Sequence, residues 1–356
     1  MDLSQRGALW IVATGVIAAG LFFLREPLTQ FAMALILWLA IDGLAETLDK
    51  RLPFMPRWLG LPIALVLVLS LVALVGFVVV QNLGAMTQSY STYETRLNTL
   101  LADGYAMLGL AGQPPTFANL IARLDPAEIA AQLGQGLRAL ASDVMFTLIF
   151  LGFMFSAAAM TSRKLDYIFG KGAKREAARA VFQRIRVSME RYLWVQTVIS
   201  LIITLLTYIT LTVIGVHNAL FWSFVIFFLN YIPTIGSIVA TVLAVAAALV
   251  QFDSIGHIVA TGVGVGAWQF LVGNFIQPRM TGESLNLSAV VVLLALAIWG
   301  MIWGIAGAFL AAPLTVMLMI VLAQFQSTRW IAILLSADGK PLPENGALSN
   351  SDAQAK

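Results

Sequence analysis

The sequence has no cysteine and only two histidines, His217 and His257. The absence of cysteine excludes disulfide bonds, thiol catalysis and cysteine metal ligands. The two histidines are far apart in the sequence and make a poor set of metal ligands. The sequence also lacks the motifs His-Glu-x-x-His, Gly-x-Ser-x-Gly and Gly-x-x-x-x-Gly-Lys. We therefore expect neither an enzyme nor an ATP-driven pump, and we expect no cofactor.

Charged side chains are also scarce. They make up 11% of the residues, against about 25% in an average soluble protein. Hydrophobic residues make up 60%, and the mean hydropathy is +0.88. Such a chain cannot cover a soluble surface, so we expect an integral membrane protein in contact with membrane lipid. The net charge of +3 is too small to suggest a nucleic-acid partner.

The apolar runs predict an all-α integral membrane protein with about eight transmembrane or span-like helices, since a helix needs about 20 apolar residues to cross the hydrocarbon core. The candidate spans are residues 8–24, 28–45, 61–82, 143–160, 193–215, 219–250, 257–275 and 287–323. The first run is expected to be retained, because no convincing signal cleavage site follows it. The first two runs are joined by LREPLTQ and are expected to form a helical hairpin. The runs 219–250 and 287–323 are too long for simple spans and contain Gly and Pro, which predicts interrupted or re-entrant helices.

Basic residues predict the topology. Segment 161–192 holds nine Lys and Arg residues against three acidic ones, and loop 48–60 adds Lys50, Arg51 and Arg57. By the positive-inside rule both segments are cytoplasmic. We therefore expect both termini in the cytoplasm and residues 83–142 outside.

Composition divides the chain into five parts. These are N-terminal transmembrane helices (1–82), an extracytoplasmic helical segment (83–142), a transmembrane helix with a basic cytoplasmic amphipathic helix (143–192), a core with interrupted helices (193–325) and a cytoplasmic tail that we expect to be disordered at its end (326–356). In the second part, Asp125, Pro126 and Glu128 form a capping box with Pro in the first helical turn.

Uncharged polar residues gather at the expected helix breaks. At such breaks, freed carbonyls and half-helix ends can bind a solute without a charged side chain. The first cluster is Asn230, Tyr231, Pro233, Thr234 and Gly236; the second is Gln269, Asn274, Gln277, Pro278 and Gly282; the third is Gly304, Gly307 and Pro313. We expect the first cluster to line a solute path opposite the amides of the second. The alternative is that the breaks only kink helices and allow close packing.

Three charged residues are candidates for ion coupling. Asp42 and Glu46 lie at positions i and i+4, so they share a helix face at the inner end of the second span. They form either a solvated helix end, with Glu46 paired to Lys50, or a protonatable pair. The third candidate is Arg279, which we expect on the cytoplasmic side.

The C-terminal half resembles the AI-2E family of transporters, also called the autoinducer-2 exporter or PerM-like family. The resemblance lies in GVHNALFWSFVIFFLNYIPTIGSIVATVLA, FIQPRMTGESLNLSAVVVLLALAIWG and GIAGAFLAAPLTVML. These stretches contain Ile-Pro-x-x-Gly at Ile232–Gly236, Asn-x-x-x-Pro-x-x-x-Gly at Asn274–Gly282, and Gly-x-x-Gly with a later Pro-Leu at Gly304–Leu314. The N-terminal half matches in layout more than in motif. Gly273 stands where many relatives carry a charged residue.

The resemblance implies a multi-pass protein of the bacterial inner membrane that exports small molecules. We therefore expect a secondary transporter that exports a small polar solute of the autoinducer-2 type or exchanges a monovalent cation for protons. The alternatives are a non-transporting membrane scaffold and a passive channel. The resemblance also implies a homo-oligomer, for which we expect five copies.

Overall fold

The computed structural model describes residues 3–51, 90–109, 126–170, 172–281 and 286–341, with scattered positions between 62 and 82 and residues 114, 116 and 119. The regular elements in these residues are helices, which confirms the expected fold class. Five of the described helices are long and apolar enough to cross a membrane. Ten of the 22 positions of the expected span 61–82 lie outside the described residues, as do Asp125, Gly282 and the chain after residue 341.

In chain order, the helices are α1 (Leu3–Phe23), α2 (Arg25–Arg51), α3 (Tyr90–Met107), α4 (Pro126–Phe169), α5 (Ala173–Ile214), α6 (Ala219–Leu229), α7 (Ile235–Gln251), α8 (Ile255–Leu271), α9 (Gln277–Thr281), α10 (Ala289–Leu322) and α11 (Arg329–Leu335). A π-helical turn, Val272–Ile276, joins α8 to α9.

Two helices continue across boundaries that the composition suggests. Helix α4 has 44 residues; it begins at Pro126, the residue expected in its first turn, and contains the whole run 143–160. Helix α5 has 42 residues, so the basic helix continues into the next span, as expected. At 1.5 Å per residue each helix is over about 60 Å long, twice the hydrocarbon thickness of about 30 Å. Their polar ends therefore extend beyond the membrane core.

The connection between the first two runs differs from the expectation. Only Leu24 separates α1 from α2. Its N–H donates to the Gly20 carbonyl at 3.0 Å, and its own carbonyl accepts from the N–H of Leu28 at 3.1 Å. Residues 25–30, in the stretch LREPLTQ that was expected to join the two arms of a hairpin, are part of helix α2. Pro27 is tolerated there since it lies in the first turn of α2.

The chain divides into two compact units that alternate along the sequence. Unit 1 comprises Met1–Thr47, Phe146–Gln196 and Arg279–Lys356, and unit 2 comprises Leu48–Met145 and Thr197–Pro278. The expected core of residues 193–325 thus contributes to both units. Each unit contains one of the two long interrupted runs.

The run 219–250 in unit 2 is a helical hairpin. Helix α6 ends at Leu229 and α7 begins at Ile235, so the interruption lies where the sequence predicts it. The Gln251 side chain, at the end of α7, donates to the Gly215 carbonyl at 2.7 Å and accepts from the His217 N–H at 2.6 Å. Because residues 215–217 directly precede α6, the chain leaves the hairpin where it entered. The first arm has 11 residues and spans about 16 Å, roughly half of the hydrocarbon core.

The run 287–323 in unit 1 is a second hairpin. Gly304, with φ 64° and ψ −142°, interrupts α10, and the chain reverses there. The Trp299 indole Nε1 donates to Thr315 Oγ1 at 3.2 Å, whereas 16 residues of straight helix would separate the two by about 24 Å. A β-bridge between Leu287 and Ser336 joins the two flanks of this hairpin.

Candidate functional site

The tip of the unit 2 hairpin is a strained turn. Pro233 has no N–H and cannot continue helix α6. Its carbonyl accepts from the N–H of Ile235 at 2.6 Å, which makes Thr234, with φ 61° and ψ −56°, the centre of a γ-turn of the strained type. Such a backbone at a β-branched residue costs about 1–3 kcal/mol, and strain of this kind clusters at ligand sites and switches.

Gly236 allows the two arms of this hairpin to meet. A Cβ at residue 236 would overlap the carbonyl of Leu229, so a residue without a side chain is required. The Gly236 N–H donates to the Ile232 carbonyl at 3.0 Å. The tip is therefore shaped by backbone groups lying close together.

Side chains fix the tip to helix α5. The Tyr231 hydroxyl and Thr197 Oγ1 share a hydrogen bond of 2.8 Å. The Phe227 ring packs edge-on against Tyr231, with 5.7 Å between ring centroids. Asn230 ends α6, and its N–H donates to the Ile226 carbonyl at 3.0 Å. The polar residues of the first cluster thus lie on the turn or directly beside it.

The amides of the second cluster have different surroundings. Gln269 on α8 is buried, with 8% of its surface exposed. Asn274 is exposed, and its side-chain amide donates to the Phe270 carbonyl at 2.9 Å. Gln277 is half-buried. Of the three amides, Gln269 is the one that faces the interior of unit 2.

The expected helix break around Pro278 is a widened turn instead. Pro278 has no N–H to donate to the carbonyl four residues earlier. In the π-turn before it, the N–H of Gln277 donates to the Val272 carbonyl, and the helix then continues to Thr281. Single π-turns of this kind occur frequently at functional sites.

Helix α5 brings three hydroxyl residues to the interior of unit 2 that were not among the residues predicted from the sequence. They are Ser200, Thr204 and Thr207. Their spacing of four and three residues puts them on one helix face. That spacing could have identified them in the sequence. Ser and Thr in apolar helices usually bond to the backbone of their own helix, however, so the spacing alone does not predict a site.

The third cluster forms the tip of the unit 1 hairpin. A Cβ at Gly307 would overlap the Trp299 carbonyl, which repeats the close approach seen at Gly236. The Trp303 indole donates to the Leu21 carbonyl at 3.1 Å and ties this tip to α1. Pro313 does not break the chain; it is buried within the second arm.

The flank of the unit 1 hairpin is fixed by polar contacts. The Asn286 side-chain amide donates to the Asp338 carboxylate at 2.8 Å, and the Lys340 N–H donates to the same oxygen at 2.8 Å. The hydrogen bond from Lys340, together with that from Asn286, lowers the pKa of Asp338. This part of the expected tail is thus ordered.

The coupling candidates Asp42 and Glu46 are part of an ion-pair network. Arg186 Nη2 lies 2.7 Å from Asp42 Oδ2 and 3.0 Å from Glu46 Oε2, while its Nε lies 2.6 Å from Glu190 Oε1. Arg186 was not predicted, because its partners on α2 are over a hundred residues away in the sequence, whereas Glu190 pairs with Arg186 four residues earlier on α5. Arg279 is exposed. Among the residues that the structure describes, no group of three or more His, Asp or Glu side chains is arranged to hold a metal ion.

A comparison with family models matches residues 11–327 to one family, described as the AI-2E family transporter. This match covers most of the chain. The chain belongs to the AI-2E transporter family. The resemblance noted from its motifs is therefore confirmed, and its role is that of a membrane transporter.

Several relatives match the AI-2E chain along most of its length. A protein of Haemophilus influenzae named "Putative transport protein" is 30% identical, over 93% of this chain and 96% of its own. The "AI-2 transport protein TqsA" of Escherichia coli is 28% identical, over 90% and 92%. The "Putative transport protein YhhT" of Escherichia coli is 25% identical, over 92% of both chains.

Proposed function

We propose that the chain is a secondary transporter that exports a small polar solute past the hairpin tip of unit 2. The interrupted helix carries this proposal. A turn at Pro233 and Thr234 inside an apolar run exposes backbone groups, and these are tolerated at membrane depth only beside protein or a polar cavity. A helix that needs only a kink can obtain it from Pro without a positive φ. Because one relative is named as an AI-2 transport protein, AI-2 is the first solute to test.

Cation–proton exchange is the second candidate function, after export of an uncharged solute. It requires a protonatable group that changes partners during transport. The candidates Asp42 and Glu46 both contact Arg186, so their charges already have a structural partner. This favours a solute that needs no charged ligand.

We also propose that the hairpin of unit 2 is re-entrant from the outer side. Arg96 on α3 donates to the Phe252 carbonyl at 3.0 Å and lies 2.6 Å from Asp253. If segment 83–142 is outside, the end of α7 is outside too. The ties from Gln251 to residues 215–217 support the same conclusion, because α5 would leave the membrane at that end.

Transport is tested with the purified protein in liposomes. We expect AI-2 uptake to saturate and to show counterflow, which a channel does not. Asn230→Ala should raise the apparent KM for AI-2 two- to tenfold, the value of a lost hydrogen bond of about 0.5–1.5 kcal/mol.

The matched control is Gln324→Ala. Its side-chain amide donates to the Ile320 carbonyl at 3.2 Å, near the end of α10 and in unit 1, so the KM should not change. Linear uptake would favour a channel, and no uptake would favour a scaffold. An unchanged KM in a folded Asn230→Ala protein would remove the hairpin tip from the solute path.

A further inference from the structure

The interior of unit 2 contains polar atoms that the described parts of the surrounding helices do not satisfy. The hydroxyls of Ser200, Thr204 and Thr207 and the amide nitrogen of Gln269 are shielded, and none has a hydrogen-bond partner among the described residues. Ser200 and Thr207 are 0% exposed. Shielding such groups without a partner costs free energy, so their presence in a membrane protein requires a reason.

Other buried hydroxyls in the same unit behave differently. Thr261 donates to the His257 carbonyl at 2.9 Å, and Ser223 donates to the Ala219 carbonyl at 2.7 Å. This bond to the carbonyl four residues earlier is the usual state of Ser and Thr in a helix. The three hydroxyls of α5 do not form it, so their hydrogen-bonding capacity remains available to another molecule.

Gln269 points into the space between α5 and α7. On α8, Trp268 Nε1 donates to Thr210 Oγ1 of α5 at 2.9 Å, and Gly266 faces Thr241 of α7. At 3.6 residues per turn, Gln269 lies on the face of α8 between these two contacts. Its burial agrees with this orientation.

The hydroxyls of α5 point into the same space. Thr210 faces α8 and Thr197 faces Tyr231 in the hairpin tip, and the three hydroxyls lie on the face between these two directions. The end of α5 lies beside the start of α8, so the two helices are antiparallel. Since Gly264 of α8 lies against Thr210, Gln269 is level with the stretch of α5 between Thr204 and Thr207, and the hydroxyl row from Thr207 to Ser200 extends about 10 Å towards the tip.

We propose that Ser200, Thr204, Thr207 and Gln269 form a binding site for an uncharged, oxygen-rich solute, and that this site is closed in this structure. The proposal rests on the proposed transport function and adds residues and ligand chemistry to it. The solute would supply both donors and acceptors, as hydroxyl and carbonyl groups do. During transport the solute would form hydrogen bonds with the three hydroxyls and the Gln269 amide nitrogen, which have no partner among the described residues in the closed structure.

Charge determines the ligand class. Between Thr197 and Pro278 the sequence contains a single charged residue, Asp253. Its side chain is 91% exposed and pairs with Arg96. A charged ligand in contact with residues 197–278 would therefore find no buried counter-charge among them. The group on Gln269 without a partner among the described residues is the amide nitrogen, which donates hydrogen bonds. A ligand must therefore supply an acceptor, and a bare cation has none.

Replacing threonine by valine tests the site, because the two side chains have nearly the same shape. Thr207→Val and Thr204→Val should raise the midpoint of thermal unfolding by a few degrees, since each removes a shielded hydroxyl without a partner. The same variants should lower AI-2 flux in liposomes about two- to tenfold at an AI-2 concentration below the KM, and AI-2 should raise their melting midpoint less than it raises that of the wild type. The matched control, Thr261→Val, loses a satisfied buried hydroxyl, so it should melt no higher than the wild type and keep its flux.

The outcomes separate this site from the transport proposal. If the wild type neither carries nor binds AI-2, that solute is refuted, but Thr207→Val must still melt higher than both the wild type and Thr261→Val. Equal or lower midpoints with normal flux would show that bound water satisfies the hydroxyls, and would overturn the site. Stabilisation by Na⁺ instead of AI-2, lost in the same variants, would overturn the ligand class.

Discussion

Gly236 and Thr234 shape the hairpin tip through their backbones. Thr234 stores strain in its γ-turn, and Gly236 provides the space that brings the Leu229 carbonyl against the second arm. The two features are linked, because the tight turn is possible only if the arms can approach. A strained turn that is held in place by packing can change shape when a ligand competes for its carbonyls.

Gly236→Ala should disrupt the tip. The new Cβ would overlap a backbone carbonyl, which cannot rotate away as a side chain can. We expect a loss of about 1–3 kcal/mol, typical of overpacking, and loss of saturable uptake in liposomes. The thermal unfolding midpoint in detergent and the AI-2 flux are the two measurements.

Gly152→Ala is the matched control for this change. Gly152 lies within α4, and a Cβ there would meet nothing within 4 Å. Alanine is favoured over glycine in a helix by about 0.5–1 kcal/mol, so this variant should melt slightly higher and transport normally. If Gly236→Ala melted and transported like Gly152→Ala, the close approach of Gly236 to the Leu229 carbonyl would not be needed for transport.

At the scale of helices, the sequence predicts features that depend on local chemistry. The break between α6 and α7 was predictable because Pro233 removes a donor and Gly236 permits a turn within a few residues. The start of α4 at Pro126 was predictable for a similar local reason. The helical state of residues 25–30 was not predicted. Pro27 is compatible both with the first turn of a helix and with a loop, so the residues around it do not distinguish the two.

Features that depend on distant residues were not predictable. Arg186 joins Asp42 and Glu46 across 140 or more positions, and no local pattern indicates that pairing. The hydroxyl row on α5 shows a helical spacing, but the spacing does not reveal whether a hydroxyl bonds to its own helix. The positions of the side chains in the structure show that these three hydroxyls do not.

Helix α3 holds the end of α7 through Arg96, and the contribution of each contact can be separated. Arg96 is 16% exposed and donates to the Phe252 carbonyl, whereas its partner Asp253 is 91% exposed. An ion pair with such an exposed carboxylate contributes little to the free energy of unfolding. A cation that donates to the last carbonyls of a helix contributes more.

Arg96→Ala should therefore destabilise the protein more than Asp253→Asn does. We expect a loss of about 1–2 kcal/mol for Arg96→Ala, because it removes the donor to the helix end, and under about 0.5 kcal/mol for Asp253→Asn. Unfolding midpoints of the two variants measure the difference. Equal losses would mean that the ion pair, and not the helix cap, fixes α3 to α7.

At the scale of the whole molecule, the two hairpins share a construction. Each has its flanks tied together, by Gln251 in unit 2 and by the Leu287–Ser336 bridge in unit 1. Each tip has a glycine pressed against a backbone carbonyl. Flanks that meet favour two re-entrant hairpins over two further crossings, and the homo-oligomer stays a prediction.

Cysteine labelling tests whether the two hairpins are re-entrant. The protein has no native cysteine, so only the introduced residue can react. If both hairpins are re-entrant, residue 253 is outside and residue 283 is in the cytoplasm. Asp253→Cys should then react with a membrane-impermeant thiol reagent added to intact cells, and Glu283→Cys should react only after the cells are permeabilised. If the run 219–250 crosses the membrane once, the pattern is inverted, since every later segment changes side. Each variant is therefore the control for the other, and labelling of Glu283→Cys from outside would refute the re-entrant arrangement.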